Sequence, residues 1–374
     1  MRHGERDHID LMFGKERIGV FGGTFDPVHT GHLLLAETAL VQAGLSRVIF
    51  MPTHIQPFKQ DAETSSDDDR LRMLGLAVSD NPHFGVTSIE TDKGGVSYTI
   101  DSLRTLRGEY GGARICFIIG TDMFLMIDKW KEAEALVSEF DFAVGVRPGY
   151  RHDEAMEKAG ELKDAYGTRI DFVDNPPIDL SSTEIRQRIK DGETIRYRVP
   201  ECVRRFLLVR EKVGEKRFEH TKRVIDLACE MAQRFGESVE RAALAALLHD
   251  FRKDPAGGVE NDLGHGDMAA EAASSEFGVT DRDVLNAIRY HTTGRAGMSR
   301  LERIIFLADT VEPGRTYDSI ARLRETCLDD LDRGTLTVLT ELRKYLILKG
   351  LEVSGDTDAA IEELSAAKCE KRHP

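Results

Sequence analysis

The chain has 374 residues, 41% of them hydrophobic and 31% charged, with a formal net charge of -14. That length holds two or three domains of ordinary size, and the composition is that of a globular protein. An acidic balance argues against binding to nucleic acid, which rests on Lys and Arg neutralising phosphates, but leaves room for local basic pockets. The five cysteines, Cys116, Cys202, Cys229, Cys327 and Cys369, are widely spaced and form no CxxC pair. A disulfide framework and a thiolate zinc site are therefore not expected, and a cytoplasmic location is. The opening residues MRHGERDHID lack the apolar core of a signal peptide. Residues 1–16 are read as a loose tail. No apolar run approaches the roughly 20 residues of a membrane span, so no membrane association is expected.

In chain order, Arg17 to Phe21 is a short apolar run ending at a Gly pair, which predicts a buried strand and a tight turn. His32 to Ala43 has a helical pattern. Strands are predicted at Arg47 to Met51, Arg114 to Ile119, Asp141 to Val146 and Ile170 to Val173, with helices such as Arg70 to Val78 between them. Alternating strands and helices imply a parallel α/β sheet covered on both faces. Ligands of such sheets sit beyond the carboxyl ends of the strands. After about residue 182 the strand signals fade. Helices are predicted at Arg217 to Phe235, Val239 to His249, Gly266 to Phe277, Arg282 to Tyr290 and Ser299 to Thr310, with two more after Tyr317. A bridging helix near residues 195–213 marks the domain change, giving an α/β domain at 17–208 and an all-α domain at 209–374.

Two clusters carry chemistry. In GGTFDPVHTGH, residues 22–32, no Lys-Ser/Thr follows the glycines, and the spacing is not that of a dinucleotide loop. Gly22 and Gly23 let backbone approach a phosphate. His29 and His32, three residues apart, share a helix face where imidazoles and the helix dipole suit polyphosphate. SSTEIRQRI, residues 181–189, reads as a helix start: Ser181 and Glu184 fit a capping box. Ser182, Thr183 and Arg186 then form a phosphate cradle, and Ile185 and Ile189 face the sheet. In the helical half, His220, the pair His249-Asp250, His265, His291 and Asp309 follow one another within about 90 residues. Six His and Asp ligands suit Fe, Mn, Co, Ni or Zn and could hold two metals that activate a water.

GGTFDPVHTGH and SSTEIR resemble the two signatures of the HxGH nucleotidyltransferase superfamily. With MPTHIQPFK, DDRLRML, SYTIDSL, GTDMFLMIDKW and VRPGY, residues 17–208 look like bacterial nicotinate-nucleotide adenylyltransferases. That resemblance implies a Rossmann-like, doubly wound parallel sheet of nucleotidyltransferase type. It also implies adenylyl transfer from ATP to nicotinate mononucleotide, giving deamido-NAD and pyrophosphate with Mg²⁺. By the same resemblance His29 and His32 act on the ATP phosphates. Gly22, Gly23, Thr24, Phe25, Lys59, Gly120, Asp122, Arg147, Ser182, Thr183 and Arg186 bind nucleotide. Tyr98, Thr99 and Trp130 bind the mononucleotide, Trp130 by stacking on its pyridine ring. Two departures fall on the mononucleotide side: Phe58 stands where the family has His, and Lys131 where an aromatic is common. They leave the choice between nicotinate and nicotinamide mononucleotide open.

HTKRVIDLA, ALLHDFRKD, LGHG and AIRYHTTGRAGMSRLERIIFLADTVEPGR resemble HD-domain phosphohydrolases of the YqeK type. That resemblance implies symmetrical, iron-preferring hydrolysis of diadenosine tetraphosphate to two ADP at a two-metal site, with Mn, Co or Zn as substitutes. The six residues would be metal ligands, with Asp250 also catalytic. Arg252, Lys253, Arg295, Arg303 and Arg315 are candidates for the polyphosphate, since guanidinium forks match its oxygens, and Asp254 for a general acid. A polyphosphate sensor, or hydrolysis of another nucleotide, remains open for this half. Oligomeric state and the role of residues 346–374 are not read.

Overall fold

The computed structural model describes residues 16–55, 64–146, 151–174, 178–253, 264–317 and 319–370. The expected tail thus lies outside the described residues apart from Glu16. The chain divides into two compact units, 1–204 and 205–374.

The first unit is an α/β sheet domain. Its elements are β1 (Arg17–Gly23), α1 (Thr30–Gln42), β2 (Arg47–Pro52), α2 (Asp67–Val78), β3 (Phe84–Val86), α3 (Ile89–Lys93), α4 (Thr99–Glu109) and β4 (Arg114–Gly120). There follow α5 (Thr121–Phe124), α6 (Ala133–Glu139), β5 (Asp141–Val146), α7 (His152–Tyr166), β6 (Ile170–Asp174) and α8 (Ser182–Lys190). The strand order is β3-β2-β1-β4-β5-β6, and every neighbouring pair is parallel. Helices cover both faces of such a sheet, so its strands are unbroken apolar runs rather than alternating ones. Ile18, Val20, Phe50, Ile118, Phe142 and Val144 are all fully buried. The amino ends of the strands are stitched by Arg17, buried between Asp141 at 3.0 Å and Asp171 at 2.7 Å. The order reverses between β1 and β4. Two strands there run their carboxyl ends past helices on opposite faces, and a crevice opens.

Five of the six strands fall where the apolar runs predict them. The sixth, β3, has only three residues. Gly85 sits at its centre because a Cβ there would come within 3.1 Å of the Ile49 side chain. A run that short and that poor in side chain carries no periodicity.

The second unit is wholly helical among its described residues. A bridging helix α9 (Glu201–Val213) leads into α10 (Glu215–Phe235), α11 (Val239–Leu248), α12 (His265–Ser275), α13 (Arg282–Arg289) and α14 (Arg300–Val311). Side-chain caps set the starts: Ser238 accepts from the Arg241 amide, Asp281 from Asp283 and Val284, and Ser299 from Glu302. After Tyr317 there are three helices, not the two expected: α15 (Ile320–Asp329), α16 (Leu331–Leu348) and α17 (Gly355–Glu370). The break between α15 and α16 is only the extended residue Asp330, which caps Arg333. No Pro or Gly marks it. Among the described residues no helix is long and apolar enough to cross a membrane.

Candidate functional site

In the first unit the Gly pair ends β1 at the sheet crevice. A Cβ on Gly22 would meet the Phe117 ring at 3.0 Å, and one on Gly23 the Phe25 ring at 3.0 Å. The room left by these glycines is thus filled by aromatic rings. Phe25 is 2% exposed with φ 49°. It is locked edge-on between Phe21 and His32, at 5.3 and 5.0 Å between ring centroids. The loop has a second anchor in Arg70 on α2. Its guanidinium is fully buried, donates to the Thr24 and Thr53 carbonyls at 2.8 Å each, and pairs with Asp67. Sequence reasoning passed over Arg70. The signal was a charge on the apolar stripe Met73, Leu74, Ala77 and Val78, at helical spacing from it.

His29 caps α1 and His32 lies in its first turn. Their rings stack at 3.6 Å, and the His29 amide donates to His32 Nδ1 at 3.2 Å. His32 therefore keeps its proton on Nε2. Burial, with His29 beside it, holds the ring well below its ordinary range and neutral. The start of α8 lies across the same loop. Ser182 donates to the Pro27 carbonyl at 2.9 Å, and Arg186 donates to the Asp26 carbonyl and comes within 3.8 Å of the Asp26 carboxylate. Thr183 accepts weakly from Arg186 at 3.5 Å. Two helix starts, α1 and α8, with two imidazoles and a guanidinium, are thereby gathered on one loop. The expected capping box at α8 is only half formed. Ser181 accepts from the Glu184 amide at 3.1 Å, but the Glu184 carboxylate turns to Arg198, also at 3.1 Å.

Beside this loop is a cavity of about 210 Å³. Gly22, Gly23, Phe117, Gly120, Tyr98, Thr99 and Trp130 line it, together with Glu90, Lys129 and Lys131. Trp130 packs edge-on against Phe117 at 5.9 Å. Asp122 is exposed and does not line the cavity. Lys59 and Arg147, and Phe58 among the departures, lie outside the described residues.

In the second unit α11 is apolar after its first turn, from Ala242 to Leu248, and delivers His249 and Asp250 at its end. Its close neighbour α12 starts at His265. A Cβ on Gly266 would fall 2.3 Å from the Arg289 carbonyl oxygen, so only glycine lets α12 approach the end of α13 and its His291. His220 comes from α10 and Asp309 from α14. The six side chains converge. His220 Nε2 is 3.0 Å from Asp309 Oδ1, His249 Nε2 3.9 Å from the same oxygen, and His265 Nε2 3.0 Å from His291 Nε2. Asp250 Oδ1 is 3.4 Å from His265 and 3.6 Å from His291. Two overlapping ligand sets result, His220-His249-Asp309 and His249-Asp250-His291, which share His249.

The tautomers are fixed from behind. His249 Nδ1 donates to the Ala246 carbonyl at 2.7 Å and His291 Nδ1 to the Ile288 carbonyl at 2.6 Å. Both rings therefore turn an Nε2 lone pair inward. His249 Nε2 is buried with no hydrogen-bond partner, an orphan that a divalent cation would satisfy. Burial pushes His249 down to about 4. It would likewise push Asp309 and Asp250 up, but the surrounding imidazoles outweigh it and hold both carboxylates well below their usual range. The donor set of imidazole nitrogens and carboxylates fits a divalent transition metal.

Glu312 was not foreseen. It is 2% exposed and receives His220 Nδ1 at 3.2 Å and Arg223 at 2.6 Å. It therefore turns His220 Nε2 toward Asp309. In sequence it reads as a loop acid after α14. Of the basic candidates, the structure brings Lys253 to Asp250 at 3.3 Å and Arg315 to Asp309 at 2.9 Å. The others are paired with carboxylates that are not among the six: Arg252 with Glu276, Arg295 with Glu302 and Arg303 with Asp332. Asp254 lies outside the described residues.

The fold and the two clusters define a class: a nucleotidyltransferase-type α/β domain followed by a helical HD domain. The cytidylyltransferase-like family matches residues 20–188, and the HD domain family residues 217–314. A probable nicotinate-nucleotide adenylyltransferase of Herpetosiphon aurantiacus is 41% identical over 194 residues, 51% of this chain and 96% of the relative. One from Moorella thermoacetica is 38% identical over 200 residues, 53% of this chain and 92% of that protein. Through its N-terminal half the chain belongs to the nicotinate-nucleotide adenylyltransferase family. A solved structure from Clostridium acetobutylicum, described as a predicted HD superfamily hydrolase involved in NAD metabolism, is 32% identical. It covers 44% of this chain and 96% of its own, with a TM-score of 0.40.

Proposed function

We propose that the chain is a bifunctional enzyme: the first unit transfers adenylyl from ATP to nicotinate mononucleotide, and the second hydrolyses diadenosine tetraphosphate symmetrically to two ADP. The observation that supports the first activity is the loop at residues 22–32, where the starts of α1 and α8 meet beside an aromatic cavity. His29, His32, Ser182 and Arg186 would hold the ATP phosphates, with Mg²⁺ as counter-charge. Trp130 and Tyr98 would hold the pyridine ring. Catalysis here is alignment of the mononucleotide phosphate on the α-phosphorus, with charge spread to fixed donors. No side chain need be modified covalently.

The observation that supports the second activity is the pair of ligand sets sharing His249. When bound, two ferrous ions would supply an activated water and draw charge from the phosphates. His220, His249, Asp250, His265, His291 and Asp309 would hold them, and Lys253 and Arg315 are the cations that a polyphosphate would meet. The test is to load the protein with iron under reducing conditions, add diadenosine tetraphosphate, and separate the products. ADP alone, lost on His249→Ala, is the expected result. ATP plus AMP would overturn symmetrical cleavage, and no turnover would overturn the substrate.

A further inference from the structure

Among the described residues, one side of the cavity beside the Gly pair gathers cations and helix N–H groups. One side is the start of α4, where Thr99 and Ile100 line the cavity and no side chain caps the helix. Its first N–H groups and the positive end of its dipole favour an anion. Next to it stands Lys131. Its Nζ is 3.0 Å from the Asp101 carboxylate and 4.5 Å from the centre of the Tyr98 ring. Asp101 does not cancel that charge alone, because Lys93 approaches the same carboxylate at 4.0 Å. Two ammonium groups share that one carboxylate, the neighbouring Glu132 is paired with Arg104 at 3.0 Å, and Lys129 adds a further cation to the lining. Glu90, the one carboxylate among the described residues of the lining, is 4% exposed and already receives the Ser102 hydroxyl at 2.7 Å.

Nicotinate and nicotinamide mononucleotides have the same ring, ribose and phosphate. They differ in one group, a carboxylate against a neutral carboxamide. Aromatic contacts from Trp130 and Phe117 cannot tell them apart, whereas a cation at the rim can. We propose that Lys131 is a specificity-determining residue of this chain, favouring the mononucleotide whose ring carries a carboxylate. The proposal rests on the transferase reading of this cavity. Lys131 is 40% exposed, so its attraction is screened by solvent and salt and its effect is moderate.

The test compares Lys131→Met, which keeps the stem and removes the charge, with Lys131→Arg, which keeps the charge. Pyrophosphate release is followed with nicotinate and with nicotinamide mononucleotide on the same preparation, so the fraction of active protein cancels from the ratio of kcat/KM. In Lys131→Met the acid-over-amide ratio falls by about tenfold at low ionic strength, through KM rather than kcat, and the deficit shrinks as salt is raised. Lys131→Arg retains the ratio. Equal losses on both mononucleotides, or a deficit indifferent to salt, would mean that the stem packs and the charge does not discriminate. Wild-type protein that turned over neither mononucleotide would overturn the transferase reading itself, and this proposal with it.

Discussion

The two clusters are built by opposite means. In the first unit the functional groups stand at two helix starts around the loop that ends β1, and what orders them is backbone: carbonyls of Thr24, Asp26, Pro27 and Thr53 held by Arg70, Ser182 and Arg186. In the second unit they converge from several helices on a buried centre, and what orders three of the four histidines is the far nitrogen of the ring. His249 and His291 lean on carbonyls three residues back, and His220 leans on Glu312. The first is a site of alignment, so damage can be done from its anchors. The second is a site of charge compensation, so damage is expected to stay local to the His and Asp cluster and the groups that orient it.

That contrast can be broken, and the largest test is in the second unit. Asp250→Ala removes a buried carboxylate facing three imidazoles. It should lower tetraphosphate hydrolysis by more than about 1,000-fold, given that outer partners of metal ligands are themselves worth 10–100-fold. Bound metal measured by emission spectrometry should fall with it, and adenylyl transfer should persist. Loss of transfer would show that the two activities are not separable.

Arg70→Met comes next. It leaves the carbonyls of Thr24 and Thr53 without their shared donor. Misplacement of the loop should reduce adenylyl transfer by about 100-fold, and the lost buried partner should cost about 3 kcal/mol of stability. Hydrolysis in the second unit serves as the internal control.

Glu312→Ala sharpens the comparison by attacking orientation alone. All six ligands remain, yet metal affinity should drop by about 10-fold or more, read by competition with a chelator. Unchanged affinity would mean that His220 is held well enough by Asp309.

How much of this was legible in the sequence follows from what each feature requires. The strands β1, β2, β4, β5 and β6 are apolar runs because both their faces are covered, and the histidines of the helical half stand out because imidazole is rare and their order is unusual. Arg70 and Glu312 were missed for one reason. Each is a charged residue whose burial depends on partners far along the chain: Thr24 and Thr53 for one, His220 and Arg223 for the other. Local pattern holds no record of such partners. The cationic rim at Lys131 was visible only as a departure from the expected aromatic, and its sign acquires meaning once Asp101 and Lys93 are seen beside it.

The smallest effect expected is on pH dependence. His32 is held neutral by burial, so its folded value lies below the ordinary 6.5. The unfolded chain then binds more protons below that pH, and stability falls as pH drops below about 6.5 and is full above it. Trp130 is the only tryptophan, so urea unfolding followed by its fluorescence reports the first unit. Between pH 7.5 and 5.5 the wild-type midpoint should fall further than that of His32→Asn. Parallel slopes would remove His32 as the cause.

The hydroxyl of Ser182 reaches a carbonyl 155 positions earlier in the chain, and Thr30 is bonded to the Tyr197 and Arg198 carbonyls later still. A growing polypeptide has long since made the glycine loop when these donors and acceptors emerge. Early chains can pair β1 with β2 and anchor the loop through Arg70, but its bonds to α8 and to residues 197–198 wait until residue 198 has been added. Assembly of the transferase cluster is therefore a late event in synthesis of the first unit. The histidine cluster, spanning only residues 220–309, closes over a much shorter stretch of chain.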